Sequence, residues 1–154
     1  MTLKITPFSQ DMAAELLALM HSSDTIDHHN SYTLWQAAQF DGDLFLTAQL
    51  NGQMVGYIFG RQTSNGVLLW QICVAKSQQN KGIGMSLATA FCKAAQVKGI
   101  EQIQLTITPD NQASKSLFTQ LADHLGWNFE QQGVTGTFAN TMKNEDIYII
   151  TVLD

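Results

Sequence analysis

Gln79-Asn80-Lys81-Gly82-Ile83-Gly84 lies between the apolar run Leu68-Leu69-Trp70-Gln71-Ile72-Cys73-Val74 and the amphipathic run Met85 to Ala95. That order predicts a strand, a glycine-bearing turn and a helix start. A junction of this kind is a phosphate cradle. Glycine lets the backbone approach a ligand closely, and the first turn of a helix leaves N–H groups unpaired with the positive end of the peptide dipole behind them. The loop carries two glycines and no Walker lysine-serine ending, so by itself it names no ligand beyond a phosphate.

Working outward, the helix after the loop repeats Ile83, Leu87, Phe91 and Ala95 every four residues, laying one face on a sheet until Gly99 ends it. Ile103, Leu105 and Ile107 then alternate with Gln102, Gln104, Thr106 and Thr108, the pattern of a strand buried on one face. Strand, loop-helix and strand make a βαβ unit, so the strands at 67–75 and 103–108 are expected to run parallel. Upstream, a strand at 3–6 precedes a helix at 9–21 with Ser9 as its N-cap and Met12, Leu16, Leu19 and Met20 as its buried stripe. A polar stretch at 22–31 leads into a helix at 32–40. Strands at 44–50, 53–60 and 67–75 form a meander turned at Asn51-Gly52 and near Asn65-Gly66, pairs that accept positive φ. Downstream, Pro109-Asp110-Asn111 opens a helix with the stripe Ala113, Leu117, Leu121 and Leu125, stopped by Gly126. Strands at 128–132 and 146–153 follow, joined by a polar loop. The fold class is therefore α/β with a mixed α+β sheet: an antiparallel meander plus a βαβ crossover, in one domain spanning 1–154.

Bulk properties narrow the function. The 154 residues carry 13 Asp plus Glu against 8 Lys plus Arg, a formal charge of -5. This argues against nucleic acid or an anionic membrane as the partner. An acidic chain that binds a polyanion must do so locally, through backbone N–H groups. No apolar leader or membrane-length run is present, and Cys73 and Cys92 fall inside predicted elements as core hydrophobes, so the expected compartment is the cytoplasm. No His, Cys and carboxylate cluster has ligand spacing, so no metal is expected. His28 and His29 are read as a loop pair outside the chemistry.

The Q-x-x-G-x-G spacing, separated by four residues from the strand's last valine, resembles the acyl-CoA pyrophosphate loop of the GNAT N-acetyltransferase superfamily, and the order of elements is that superfamily's over essentially the whole chain. The resemblance implies acetyl-CoA as cosubstrate. The backbone of Ile72 and Val74 would pair with the pantetheine arm, and the segment Gln79, Asn80, Lys81, Gly82, Ile83, Gly84 and Met85 would hold the pyrophosphate. Lys81 is either a phosphate charge or a solvated lysine. Asn111-x-x-Ser114-x-x-Leu117-Phe118 is similar to the superfamily's N-x-x-[AS]-x-x-L-[YF] signature, which implies contacts from Asn111, Ser114 and Phe118 to the cofactor arm; Asn111 also suits a helix cap. Phe118 stands where many relatives carry a proton-donating tyrosine. Either another hydroxyl, Tyr32 or Ser114, serves as the acid, or the thiolate leaves unassisted.

Three segments resemble one branch, the L-2,4-diaminobutyrate acetyltransferases of ectoine biosynthesis. The branch's L-D-x-N-S-x-Y, W-Q-V-A-V and T-x-T-P-x-N-x-A-S-x-x-L-F are matched by Ile26-Asp27-His28-His29-Asn30-Ser31-Tyr32, by Trp70-Gln71-Ile72-Cys73-Val74, and by Thr106 to Phe118. Its H-E-x-E-x-x-Y aligns with Glu145 and Tyr148, while its His falls at Met142. The resemblance implies a small-molecule amine as acceptor, with Glu145, Asp27 and Tyr32 as catalytic candidates and Asp27, Trp70 and Glu145 as substrate-binding ones. An alkylamine is protonated at neutral pH, so such a site needs anions and a route for a proton. Each residue also has a plain reading: Asp27 as cap of the following helix, Glu145 as a solvated strand start, Trp70 as core. Another amine acceptor, or a CoA-binding domain without chemistry, fits the same motifs. Similar enzymes dimerise, and the strand at 147–153 is a candidate interface.

Overall fold

A computed structural model describes residues 2–153; Met1 and Asp154, the ends of the expected domain, lie outside the described residues. The strands are β1 (Leu3–Pro7), β2 (Phe45–Leu50), β3 (Gln53–Thr63), β4 (Gly66–Val74), β5 (Gln102–Ile107), β6 (Asn128–Val134) and β7 (Asp146–Thr151). The helices are α1 (Ala13–His21), α2 (Ser31–Phe40), α3 (Ile83–Val97) and α4 (Gln112–Leu125). One seven-stranded sheet runs in the order β1-β2-β3-β4-β5-β7-β6. It is antiparallel except where β4 and β5 meet, and there the expected parallel crossover is found.

The sheet is covered on both faces. Ile83, Leu87, Phe91 and Ala95 of α3 and Phe118 and Leu121 of α4 pack with Leu69, Ile103, Leu105 and Ile107 in the larger core. Leu16 and Met20 of α1 and Leu34 and Ala37 of α2 close the opposite face over Phe45, Tyr57, Phe59 and Cys73. Each such fully buried large side chain contributes about 1.5–3 kcal/mol.

Local chemistry corrects several expectations. Ser9 starts a 3-10 turn, Gln10–Met12, rather than the helix, and makes no side-chain cap bond to its backbone. Asn30 caps α2 by accepting the Thr33 N–H at 2.8 Å, so Asp27 does not. Ala113 is exposed, but Leu117, Leu121 and Leu125 of the expected stripe pack on the core, joined by Phe118 and Ala122. Asn51-Gly52 turns with both φ positive, as expected of that pair. The second pair behaves differently: Ser64 and Asn65 make the turn and Gly66 begins β4. Gly66 has φ +154, and a Cβ there would lie 2.2 Å from the Gln102 carbonyl oxygen, so glycine admits β5 against β4.

That contact matters because it closes one end of a V. β4 and β5 pair only at Val67 with Ile103 and Leu68 with Gln104. One residue beyond Leu69, β4 bulges: Phe59 faces Gln71 and Gly60 faces Leu69, so Trp70 is the extra residue. A bulge bends its strand and re-aims its side chains. From there to Val74 the two strands diverge.

Candidate active site

The open V and the loop at its wide end form one continuous main-chain surface. The Ala75 N–H donates to the Val55 carbonyl on the β3 side at 2.8 Å. Strand alternation then turns Cys73 toward β3 and leaves the N–H and C=O of Ile72 and Val74 facing the gap. An edge of this kind accepts an extended amide chain as an added strand. The Gln79 side chain donates to the Val74 carbonyl at 3.3 Å, covering the gap's outer end.

Beyond Gln79 the backbone reverses through Asn80 (φ 63) and Gly82 (φ 81), which caps α3 without any side-chain bond. The Ser86 N–H and hydroxyl both return to the Gly82 carbonyl. The N–H groups of Asn80, Lys81, Gly82, Ile83, Gly84 and Met85 find no acceptor among the described residues. Donors at the head of a 15-residue helix suit an anion by backbone alone. The two glycines have different reasons. Gly82 needs its positive φ, although a Cβ would meet nothing within 4 Å. At Gly84 φ is ordinary and a Cβ would sit 3.8 Å from Leu117 and Val74, so the chain itself does not require glycine there. Lys81 is exposed, its ammonium 3.3 Å from the Gln78 side-chain oxygen.

Across the V, Asn111 accepts the Ser114 N–H at 3.1 Å, so its oxygen caps α4 while its amide N–H₂ remains free to donate outward. Phe118 is 2 % exposed, its ring 6.5 Å from that of Phe129. It positions α4 from within the core and offers no surface to a ligand.

On the α1–α2 face, side chains rather than amides collect beside the bulge. The Tyr57 hydroxyl donates to the Gln71 side-chain oxygen at 2.6 Å, and the Gln71 amide donates to the Asp27 carbonyl at 2.8 Å. This buried relay ties the segment between α1 and α2 to β4. The Asp27 carboxylate itself makes no hydrogen bond or ion pair among the described residues. Trp70 packs edge-on to His29 at 5.3 Å and beside Phe59 at 5.5 Å, and its indole N–H has no hydrogen-bond partner among the described residues. Trp70 is thus half-buried and packs against the α1–α2 core. Burial lowers the His29 pKa from 6.5, with Asp27 opposing the shift. His29 is the residue that sequence reasoning passed over; its only signal was proximity to Asp27 in the chain. Burial also pushes the Tyr57 hydroxyl up and the Cys73 thiol up to about 11.

On the other arm of the V, Leu105 and Ile107 face the larger core, so Thr106 faces the α1–α2 side. Its hydroxyl donates to the Glu145 carboxylate at 3.0 Å. Glu145 is thereby fixed on the same face as Trp70, with no bond to Asp27. Tyr32 stands apart: 68 % exposed and stacked on Trp35 at 6.0 Å, its hydroxyl bonds none of these residues. No group of His, Cys, Asp and Glu among the described residues is arranged to hold a metal ion. No described helix is long and apolar enough to cross a membrane.

The model of the acetyltransferase (GNAT) family matches residues 12–122. The L-2,4-diaminobutyric acid acetyltransferase of Nocardia farcinica is 28% identical over 145 residues, covering 90% of this chain and 74% of that one. The enzyme of that name from Halomonas elongata is 31% identical over 119 residues, covering 75% of this chain and 62% of its own. The crystallised diaminobutyrate acetyltransferase of Paenibacillus lautus, in complex with L-2,4-diaminobutyric acid and coenzyme A, shares the fold with a TM-score of 0.85 at 20% identity, covering 97% of this chain and 95% of that one. The chain belongs to the acetyltransferase (GNAT) family.

Proposed function

We propose that the protein is a single-domain, cytoplasmic N-acetyltransferase that moves an acetyl group from acetyl-CoA to a primary amine of L-2,4-diaminobutyrate, the reaction type of ectoine biosynthesis. One observation carries the reading: β4 and β5 part after Leu68, and the gap opens onto the unpaired N–H groups of residues 80–85. The relatives' names supply the acceptor.

In this reading the pyrophosphate lies on the loop amides, with Lys81 as a screened charge beside it. The pantetheine arm pairs with Ile72 and Val74 and meets the Asn111 amide and Ser114. The acetyl carbonyl then reaches the level of Gln71 and Trp70, where a main-chain N–H of β4 stabilises the developing oxyanion, a contribution of about 3 kcal/mol. Asp27 and Glu145 attract the cationic diamine from opposite arms of the V, and the Trp70 indole N–H suits its carboxylate. The amine attacks the thioester directly. With a phenylalanine at 118, the thiolate leaves without a protein acid, which an acid of ordinary thiol strength allows.

The test is acetyl transfer by the purified chain from acetyl-CoA to diaminobutyrate, with thiol release followed spectroscopically and other amines alongside. Turnover of diaminobutyrate above the others supports the reading. Turnover of a different amine alone removes the acceptor assignment and keeps the class.

A further inference from the structure

We propose that His29 is the base that takes the proton from the attacking amine, an inference that rests on the acetyl-transfer reading above. Its ring is held edge-on by Trp70 at 5.3 Å and by Phe59 at 5.8 Å. Two residues earlier, the Asp27 carbonyl is anchored to β4 through Gln71. The imidazole therefore stands at the β4 bulge, where pairing with β5 has ended. A thioester arm running from Val74 past Ile72 ends at that level.

Neither ring nitrogen of His29 is hydrogen-bonded among the described residues, so a lone pair is free. His28 makes the contrast. Its Nε2 meets the Ser23 carbonyl at 2.7 Å and its ring lies against His21 at 5.2 Å, turned away from the V. Half-burial among aromatic rings lowers the His29 pKa, so at neutral pH the ring is in the form that accepts a proton. Asp27 is the charged group acting on it. From β3 and β4, Tyr57 and Cys73 are kept neutral by burial; His21 of α1 faces His28, and Glu145 is engaged by Thr106.

The step balances. The neutral amine forms the C–N bond to the thioester carbon, and the resulting ammonium, far more acidic than the free one, passes its proton to the His29 imidazole. The C–S bond then breaks. The thiolate takes a proton from water, and the imidazolium releases one to water.

Steady-state kinetics of His29→Gln and His28→Gln across pH test this, with CoA affinity measured by calorimetry. His29→Gln is expected to lower kcat about 100-fold, to leave the amine KM and CoA affinity near wild type, and to abolish the acidic limb whose midpoint lies below 6.5 in the wild type. His28→Gln keeps full activity. In His29→Ala, added imidazole restores rate, which a structural defect would not permit. Retention of kcat and of the acidic limb in His29→Gln, with active wild type, overturns the base and leaves acetyl transfer standing. Wild-type protein that binds CoA but acetylates no amine overturns both.

Discussion

The two sides of the proposed site are built from different materials. The proposed cofactor side is main chain: β4 leaves β5 before Ile72 and Val74, and the N–H groups of residues 80–85 have no backbone acceptor among the described residues. The proposed acceptor side is side chain: Asp27, His29, Trp70 and Gln71 at the bulge, and Glu145 across from them on Thr106. Backbone groups serve any ligand carrying a diphosphate and amides, so that half suits the whole family. In the proposed reading side chains choose which amine enters, so that half is the one expected to differ between relatives.

If this division holds, damage to one arm should spare the other. The largest effect is expected for Gly82→Glu. An L residue at φ +81 costs about 1–2 kcal/mol of strain, and its carboxylate faces the diphosphate. CoA affinity should fall about 100-fold or more, near 2.7 kcal/mol, by calorimetric titration. Glu145→Gln should do the reverse, raising the amine KM about tenfold with CoA affinity unchanged; equal loss of both would break the comparison. Gly84→Ala sharpens it. The added methyl meets only ordinary contacts at 3.8 Å, so thermal stability should hold or rise, by up to about 1 kcal/mol, while CoA binding weakens several-fold. An unchanged CoA affinity would mean that no ligand approaches Gly84.

The smallest effects concern pH. Because His29 titrates below its unfolded value of 6.5, the unfolded chain binds the extra proton first, so stability present above 6.5 declines as pH falls through that point. His29→Gln should flatten that decline in urea-melt midpoints. Cys73 and Cys92, raised from 9.0 to about 11 and about 12, act in the other direction: their contribution is complete below 9.0 and is lost as pH rises toward those values.

The strand, loop and helix from β4 to α3 were readable in the sequence because their signals are local. Glycines at fixed spacing, a four-residue apolar repeat and an Asn at a helix start all lie within one short stretch. On the acceptor side Asp27, Trp70 and Glu145 were reached only through a resemblance, because residues 27–29, 70–71 and 145 are far apart in the chain and only the folded sheet brings them near the V. Asp27 had two readings until Asn30 was seen to cap α2. The role of Gly66 was likewise misread, since its neighbour is the carbonyl of Gln102, distant in the chain. Tyr32 matched a motif position, yet its place on the exposed side of α2 separates it from the residues it was grouped with.

The most direct test of the central claim is amide hydrogen exchange with and without CoA. The account predicts slowed exchange at Ile72 and Val74 and across residues 80–85, with β1, β2 and β6 unaffected. Saturating CoA that leaves those amides exchanging at the unliganded rate would contradict it.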